Sequence, residues 1–149
     1  MEPVEQRSDS RSKFVAATPA QVFAAMNDPA RVARWWGPDG FENSIHQFDF
    51  HPGGTWLLTM HGPDGKDYPN ESRFTRIVPG ELFEIEHLSG HHFILAIELR
   101  PVEQGTRIDW RQTFDTVAHY EQLSGFVAAA NEQNLQRLTA EVLRSGSAA

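Results

Sequence analysis

The side chains of this chain that could bind or react with a ligand are polar groups set among aromatic residues. Gln112 falls between Trp110 and Phe114 on one face of a predicted strand, and His87 ends a similar apolar alternation. An unpaired polar group in a dry core costs about 1–3 kcal/mol. These groups therefore either pair with one another and with buried water, or line a cavity and contact a ligand.

Two asparagines with the same two possible roles lie in the helix predicted over residues 116–144. Asn134 lies one turn from both Ala130 and Leu138 in the apolar stripe, and Asn131 lies close to it. A binding role predicts that both face the strands across a pocket, whereas a structural role predicts local pairing. The sequence leaves these two interpretations open.

Other reactive arrangements have weaker support. The chain has seven histidines and no cysteine. His91 and His92 are adjacent in a strand and point to opposite faces, while His46, His51 and His61 have no helical i, i+4 partner. No Gly-x-Ser-x-Gly segment and no phosphate-binding glycine motif occurs. We expect no metal site and no cofactor.

Composition and charge limit the class of protein. The 149 residues suit one domain, and 40% apolar and 22% charged residues are typical of a globular protein. The net charge of −7 and the scattered positions of the 13 basic residues disfavour nucleic acid and membranes as partners. No window approaches the roughly 18 apolar residues of a membrane span. We therefore expect a soluble, cytoplasmic protein without a signal peptide.

One strand and two short helices are predicted at the beginning of the chain. Residues 13–17 read as a strand, and Thr18-Pro19 then provides a cap and a first-position proline for a helix. Asn27-Asp28-Pro29 interrupts this helix, and a second short helix leads to Trp35-Trp36-Gly37-Pro38.

Six further strand segments follow, and each pair is separated by a short turn. They cover residues 41–50, 55–61, 72–78, 82–88, 92–100 and 106–114. Connections this short allow only antiparallel neighbours, since a parallel pair needs a long crossover. The pattern predicts an antiparallel meander of six to seven strands.

The long helix and the single-layer sheet each have one apolar face to bury, so we expect them to pack together. This predicts an α+β fold in which a curved sheet wraps around the C-terminal helix. The domain is expected over residues 13–144, between a flexible segment at 1–12 and a flexible tail at 145–149. A space between sheet and helix would be the functional site.

Several motifs resemble those of the SRPBCC proteins, in the START and pollen-allergen (Bet v 1-like) superfamily. They are Thr18-Pro19-x-x-Val22-Phe23, Trp35-Trp36-Gly37-Pro38, Phe48-Asp49-Phe50-His51-Pro52-Gly53-Gly54-Thr55-Trp56, Met60-His61-Gly62-Pro63-Asp64-Gly65, Asp67-Tyr68-Pro69-Asn70 and Leu135-x-x-Leu138. The most similar branch is named after the C-terminal domain of the activator of the heat-shock protein 90 ATPase. The resemblance spans residues 13–143 and implies the helix-grip fold with a hydrophobic pocket. His51 departs from it, because the family commonly has Arg before this Pro-Gly-Gly corner.

The resemblance implies a ligand-binding fold but does not choose an activity, because relatives include polyketide cyclases, lipid carriers and proteins that sequester small molecules. We predict that the pocket binds a small hydrophobic or aromatic molecule. The residues expected to contact it are Trp36, Trp56, Met60, His61, Tyr68, His87, Phe93, Trp110, Gln112, Phe114, Asn131 and Asn134.

Two alternative functions stay open. A cyclase- or hydrolase-type enzyme would use His87 or His61 as acid or base, with Gln112 or Tyr68 holding the substrate. Spacing forces no pair of titratable groups together, so we expect a binding protein more than an enzyme. A co-chaperone acting on an ATPase ranks last, because the eukaryotic activators carry an additional N-terminal domain that contributes to chaperone binding. A homodimer also stays open.

Overall fold

Seven strands, two short helices and one long helix form the protein in the computed structural model, which describes residues 2–146. The strands are β1 (Ser8–Val15), β2 (Glu42–Phe48), β3 (Thr55–His61), β4 (Asp67–Val78), β5 (Leu82–His87), β6 (Phe93–Val102) and β7 (Gly105–Phe114). The helices are α1 (Pro19–Met26), α2 (Pro29–Trp35) and α3 (Val117–Gly146), and a 3-10 turn covers Val4–Arg7.

The strands form one antiparallel sheet in the order β1-β7-β6-β5-β4-β3-β2. Strands β2 to β7 follow one another as a meander, because the turns between them are too short for a crossover. β1 completes the sheet by pairing with β7. The predicted α+β architecture, with two short helices after the first strand and a long C-terminal helix on the sheet, is confirmed.

Local sequence determines where the two short helices begin. Thr18 Oγ1 accepts a hydrogen bond from Gln21 N at 3.1 Å, and Gln21 Oε1 accepts one from Thr18 N at 2.8 Å. This capping box satisfies two backbone donors that the first turn leaves unpaired. Asp28 caps α2 by accepting from Ala30 N, and a proline follows each cap.

β1 begins at Ser8, whereas the sequence predicted a strand from residue 13 after a flexible segment at 1–12. The predicted boundary is corrected, because residues 4–12 lie in the 3-10 turn and in β1. The polar residues 8–12 give no readable alternation, but β7 pairs with the whole strand, from Ser8 opposite Thr113 to Val15 opposite Thr106. Of the predicted tail, residues 145 and 146 belong to α3 and residues 147–149 lie outside the described residues.

β4 also begins earlier than predicted, at Asp67 instead of residue 72. Its first half pairs with β3, where Asp67 lies opposite His61, while its pairing with β5 begins only at Ser72. Pro69 is tolerated in this half because a proline lacks the N–H that a second neighbouring strand would require.

Aromatic rings fill the core beneath β3, β4 and β5. Trp56 stacks on Phe74 with ring centroids 5.9 Å apart and meets Trp36 edge-on at 4.8 Å. Trp56 and Phe74 are fully buried, as are Leu135 and Leu138 of α3. Burying such side chains contributes about 1.5–3 kcal/mol each, and it fixes α3 against the inner face of the sheet.

Candidate functional site

A cavity of about 210 Å³ lies between the strands and α3. Its apolar lining consists of Trp36, Pro38, Met60, Phe93, Leu95, Trp110, Phe126, Val127 and Ala130. Its polar lining consists of Asn70, His87, His91, Gln112, Asn131 and Asn134, beside the backbone of Gly37. An apolar cavity of about 150 Å³ can hold benzene, and sites for drug-sized ligands measure about 300–1,000 Å³. The volume therefore suits a molecule of one or two small rings.

Eight of the residues expected to contact a ligand line this cavity. They are Trp36, Met60, His87, Phe93, Trp110, Gln112, Asn131 and Asn134. The other four lie outside it. Trp56 and Phe114 are buried in the core. His61 faces away from the cavity because strand residues alternate and its neighbour Met60 faces inward. Tyr68 is 39% exposed and donates to Asp64.

Sequence reasoning missed several lining residues. Asn70 was missed because the predicted fourth strand began at residue 72. In the structure Asn70 lies opposite Leu58 and so shares its inward face. Val127 and Ala130 of α3 could have been found, because each lies three or four residues from Asn131 or Asn134 on the same helical face.

The segment after α2 forms one wall of the cavity, and α3 holds it through Asn134. Asn134 Oδ1 accepts from Gly37 N at 3.2 Å, and Asn134 Nδ2 donates to Trp35 O at 2.7 Å. Gly37 has φ +91°, and a Cβ at this position would lie 2.8 Å from Met60 Cε. Glycine is therefore required for the backbone conformation, whereas a small shift of the flexible Met60 side chain would relieve the contact with a Cβ.

Arg137 of α3 holds the same segment more strongly. Its guanidinium donates to five backbone carbonyls at 2.8–3.0 Å, those of Arg34, Trp36, Gly37, Pro38 and Phe41. Nη1 and Nη2 supply four N–H groups, so the two on Nη1 are shared among three carbonyls, and the planar guanidinium reaches more acceptors than the three donors of a lysine ammonium could serve. The cavity wall is thus fixed to α3 by backbone contacts that do not depend on the ligand.

A chain of hydrogen bonds crosses from β1 to β7 beside the cavity. Asn131 Nδ2 donates to Asp9 Oδ2 at 3.0 Å and to Gln112 Oε1 at 2.9 Å. Arg11 donates two hydrogen bonds of 2.9 Å to the Asp9 carboxylate. Burial alone would raise the pKa of Asp9, but the hydrogen bonds from Arg11 and Asn131 outweigh it and hold the pKa below its ordinary value.

His87 lies in another part of the lining and stacks on Phe93, with ring centroids 4.5 Å apart. Its Nδ1 lies 2.6 Å from His91 O, and its Nε2 lies 2.6 Å from Asn70 Oδ1. Burial lowers the pKa of His87, which favours the neutral ring. A neutral ring carries a single N–H, so His87 donates to only one of these two oxygens at a time.

A Ser–His–Asp arrangement lies outside the cavity, where β2, β3 and β4 meet. His61 Nε2 lies 2.7 Å from Ser44 Oγ, and His61 Nδ1 lies 2.7 Å from Asp67 Oδ1. No sequence motif indicates such an arrangement, because only the pairing of three strands brings these residues together. The Asp67 side chain is 67% exposed, so water has free access to the group that would orient the histidine.

A wider depression of about 710 Å³ lies on the charged outer face of the sheet. Arg100 and Arg107 both pair with Asp109 there, at 2.7 and 2.9 Å, and Arg76 lies 3.6 Å from Glu84. Exposed ion pairs of this kind contribute little to stability. Along β7, Arg107, Asp109 and Arg111 alternate with Ile108 and Trp110, so their charged side chains share this outer face.

Neither a metal-binding cluster nor a membrane-spanning helix occurs within residues 2–146. No group of three histidine or acidic side chains in this range is arranged to hold a metal ion. No helix in this range is both long and apolar enough to cross a membrane.

Comparison with known proteins agrees with this architecture. Residues 16–142 match the family model described as Activator of Hsp90 ATPase homolog 1-like protein. A crystal structure of a protein from Nitrosomonas europaea aligns with a TM-score of 0.86 at 16% identity, covering 97% of this chain and 99% of that chain. The AHSA1 protein from Silicibacter pomeroyi aligns with a TM-score of 0.74 at 20% identity, covering 93% of this chain and 99% of that chain.

A solution structure of an AHSA1-like protein from Aeromonas hydrophila gives a TM-score of 0.73 at 19% identity, covering 93% of this chain and 94% of that chain. At these identities the likeness shows a shared fold. No curated protein sequence matches the chain at a significant level.

Proposed function

We propose that this chain, which belongs to the Activator of Hsp90 ATPase homolog 1-like family, binds a small, mainly apolar molecule between its sheet and α3. The observation that supports this proposal is the cavity of about 210 Å³, whose apolar walls carry a few convergent polar groups. Sites for small molecules have this composition, because apolar contacts supply affinity and a few polar groups fix orientation.

The walls of the cavity are already fixed without a ligand. Arg137 and Asn134 hold the segment that carries Trp36 and Gly37, and the core packs behind it. A rigid site loses little conformational entropy when a ligand binds. Phe126 lines the cavity yet is 69% exposed, which suits a residue at its opening.

The proposal can be tested by filling the cavity. Ala130→Leu places a larger side chain in the lining of the cavity, whereas Ala129→Leu makes the same change at an exposed position of α3. The probe is 1-indanone, a neutral two-ring molecule, followed by ¹H–¹⁵N NMR. We expect it to shift amide resonances of the cavity lining in the original chain and in Ala129→Leu, and the shifts to be at least about tenfold weaker in Ala130→Leu.

Two NMR results would overturn the proposal. Shifts that persist unchanged in Ala130→Leu, or that map to the outer face of the sheet, would show that the cavity is not the binding site. A thermal unfolding curve for each variant checks that both remain folded.

A hydrolase is the second candidate, and the observation that favours it is the Ser44–His61–Asp67 arrangement. Its geometry suits activation of the serine hydroxyl, but a nucleophile on an open sheet face lacks the water-excluding cleft in which such groups act strongly. Under this hypothesis, Ser44→Ala would reduce hydrolysis of p-nitrophenyl acetate by at least about tenfold. Equal rates of hydrolysis by Ser44→Ala and by the original chain would rule out the hydrolase hypothesis. His87 fits an acid–base role less well, because an oxygen of the chain lies 2.6 Å from each of its ring nitrogens and occupies the place of a substrate.

A further inference from the structure

We propose that the cavity selects an uncharged ligand that carries a carbonyl-type hydrogen-bond acceptor on its ring system, and that Trp110 Nε1–H and Gln112 Nε2–H are its donors. This inference rests on the proposed function, because it concerns the same cavity. Four observations support it, concerning the indole of Trp110, the carboxamide of Gln112, their relative placement and the charge of the lining.

The indole of Trp110 has a buried donor without a partner. Trp110 is only 2% exposed, it lines the cavity, and its Nε1 makes no hydrogen bond to any described residue. A buried N–H without an acceptor costs about 1–3 kcal/mol, and natural proteins rarely leave one unsatisfied. Almost none of the Nε1 surface is open to a water-sized probe, so a ligand acceptor in the cavity removes this cost only if a neighbouring side chain shifts to let it reach Nε1.

A second tryptophan, Trp56, shows why an unpaired indole alone would not suffice. Its Nε1 also lacks a hydrogen-bond partner among the described residues, but Trp56 lies outside the cavity. Trp36, Phe48 and Phe83 meet the ring of Trp56 at steep angles, and an aromatic face can accept an N–H weakly. Trp110 has no aromatic ring contact of this kind within residues 2–146, so its donor lacks even this substitute.

The carboxamide of Gln112 is oriented so that its NH₂ group has no hydrogen-bond partner among the described residues. The Asp9 carboxylate only accepts hydrogen bonds, so Asn131 must direct its NH₂ group toward it, and the second N–H of Asn131 then meets Gln112 Oε1. Arg11 keeps the carboxylate ionised through its two hydrogen bonds. Gln112 Nε2 has no partner among the described residues.

The two donors are neighbours on the same inner face. Trp110 and Gln112 are two residues apart on β7, so their Cα atoms are separated by roughly 7 Å and their side chains leave the sheet on one side. Both line the cavity. A carbonyl oxygen has two lone pairs and can accept from two such donors at once.

The lining of the cavity also argues against a charged ligand. Its side chains include no Lys, Arg, Asp or Glu, and its two titratable groups are His87 and His91. Burying an isolated carboxylate or ammonium without a partner is far more costly than burying a carbonyl group. The Asp9 carboxylate that contacts Asn131 is already paired with Arg11. A neutral aromatic ketone, aldehyde or amide therefore fits the site better than an acid or an amine.

The first test compares 1-indanone with indane, which has the same two rings but no carbonyl. In ¹H–¹⁵N spectra the indole N–H signals of the four tryptophans are assigned from single Trp→Phe variants. We expect 1-indanone to move the Trp110 Nε1–H signal downfield, as hydrogen bonding does, and indane to leave its position nearly unchanged. The Trp56 signal serves as the internal control and should respond to neither molecule.

The second test measures affinities for both probes in three proteins. Trp110→Phe should weaken 1-indanone binding by about three- to tenfold more than it weakens indane binding, which corresponds to the net value of one hydrogen bond. Trp56→Phe removes the indole that lies outside the cavity and should change both affinities equally. Taking the ratio of the two probes cancels their different hydrophobicity and any effect of the smaller ring.

The outcomes separate this inference from the proposed function. If both probes bind in the cavity, but the Trp110 signal does not move and Trp110→Phe weakens both equally, the acceptor hypothesis is overturned and the binding function stands. If neither probe binds, the binding function fails and this inference fails with it. If Trp110→Phe does not fold, the Trp110 signal is assigned by elimination from the other three Trp→Phe variants, and the spectra of the original chain decide the question.

Discussion

Glu141 has the most strongly lowered carboxyl pKa among the described residues. It is 5% exposed and pairs with Arg31 at 3.0 Å, Arg34 at 3.2 Å and Arg144 at 2.7 Å. Burial alone would raise the pKa of Glu141, but hydrogen bonds from Arg144 and Arg31 and the charge of Arg34 lower it to about 2. This carboxylate joins α2 to α3, away from the cavity.

The lowered pKa predicts an acid-sensitive contribution to stability. The folded pKa of Glu141 lies below its unfolded value, so its stabilisation is complete above about pH 5 and is lost as pH falls toward 2. The shift corresponds to about 3 kcal/mol. We expect Glu141→Gln to lower the free energy of unfolding at pH 7 by about this amount and to flatten its dependence between pH 5 and 2.

Urea unfolding at several pH values measures this effect, and the comparison with the original chain cancels the contributions of other acids such as Asp9. Glu98→Gln, which removes a carboxylate that is 47% exposed on the outer face, serves as the control and should leave the pH profile almost unchanged. An unchanged slope in Glu141→Gln would show that the three arginines do not hold its pKa down.

The alternation of strand residues predicts which face a single side chain occupies, but not which distant residue it contacts. The inward positions of Trp110 and Gln112 follow directly from the period of a strand, and the structure places both in the cavity lining. Met60 and His61 were both expected to contact the ligand, although adjacent strand residues cannot share a face. His61 instead meets Ser44 and Asp67, a combination that spacing along the chain does not reveal.

At the scale of elements, the segment between α2 and β2 depends on α3 for its conformation. Its backbone carbonyls converge on Arg137, and burial lowers the pKa of that guanidinium without removing its charge. The motif Trp35-Trp36-Gly37-Pro38 was recognised from the sequence, but the residue that holds it lies about one hundred positions later.

We predict that Arg137→Lys destabilises the protein by at least about 2 kcal/mol, because one ammonium cannot serve five carbonyls and several partly buried acceptors lose their donor. Hydrogen exchange should become faster in residues 36–41, and the affinity for 1-indanone should fall as the wall loosens. Arg107→Lys on the exposed outer face is the matched control and should change neither. Equal effects of the two substitutions would contradict the prediction.

The two strands that begin earlier than predicted have a common explanation. Residues 8–12 and 67–71 are polar or contain proline, so they carry no hydrophobic period. They are strands because a neighbouring strand supplies their backbone partners, β7 in the first case and β3 in the second. Strand propensity depends on this context more than helix propensity does.

At the scale of the whole molecule, one side of the sheet is buried and the other is charged. The inner face packs on α3 and on the short helices, while the outer face carries paired arginines and acids. The edges of the sheet are β1 and β2, where further strands could in principle pair. The homodimer and the chaperone partner both stay predictions, since neither follows from the described residues.

The sequence by itself determined the fold of this protein. Hydrophobic periods, caps and short turns are local properties, and a meander followed by one long amphipathic helix has few ways to bury its apolar faces. Only the tertiary structure decided which polar groups remain without a partner. Whether Gln112 meets Asn131, or Trp110 meets any acceptor, depends on how strands and helix are placed against each other, and residues distant in the chain fix that placement.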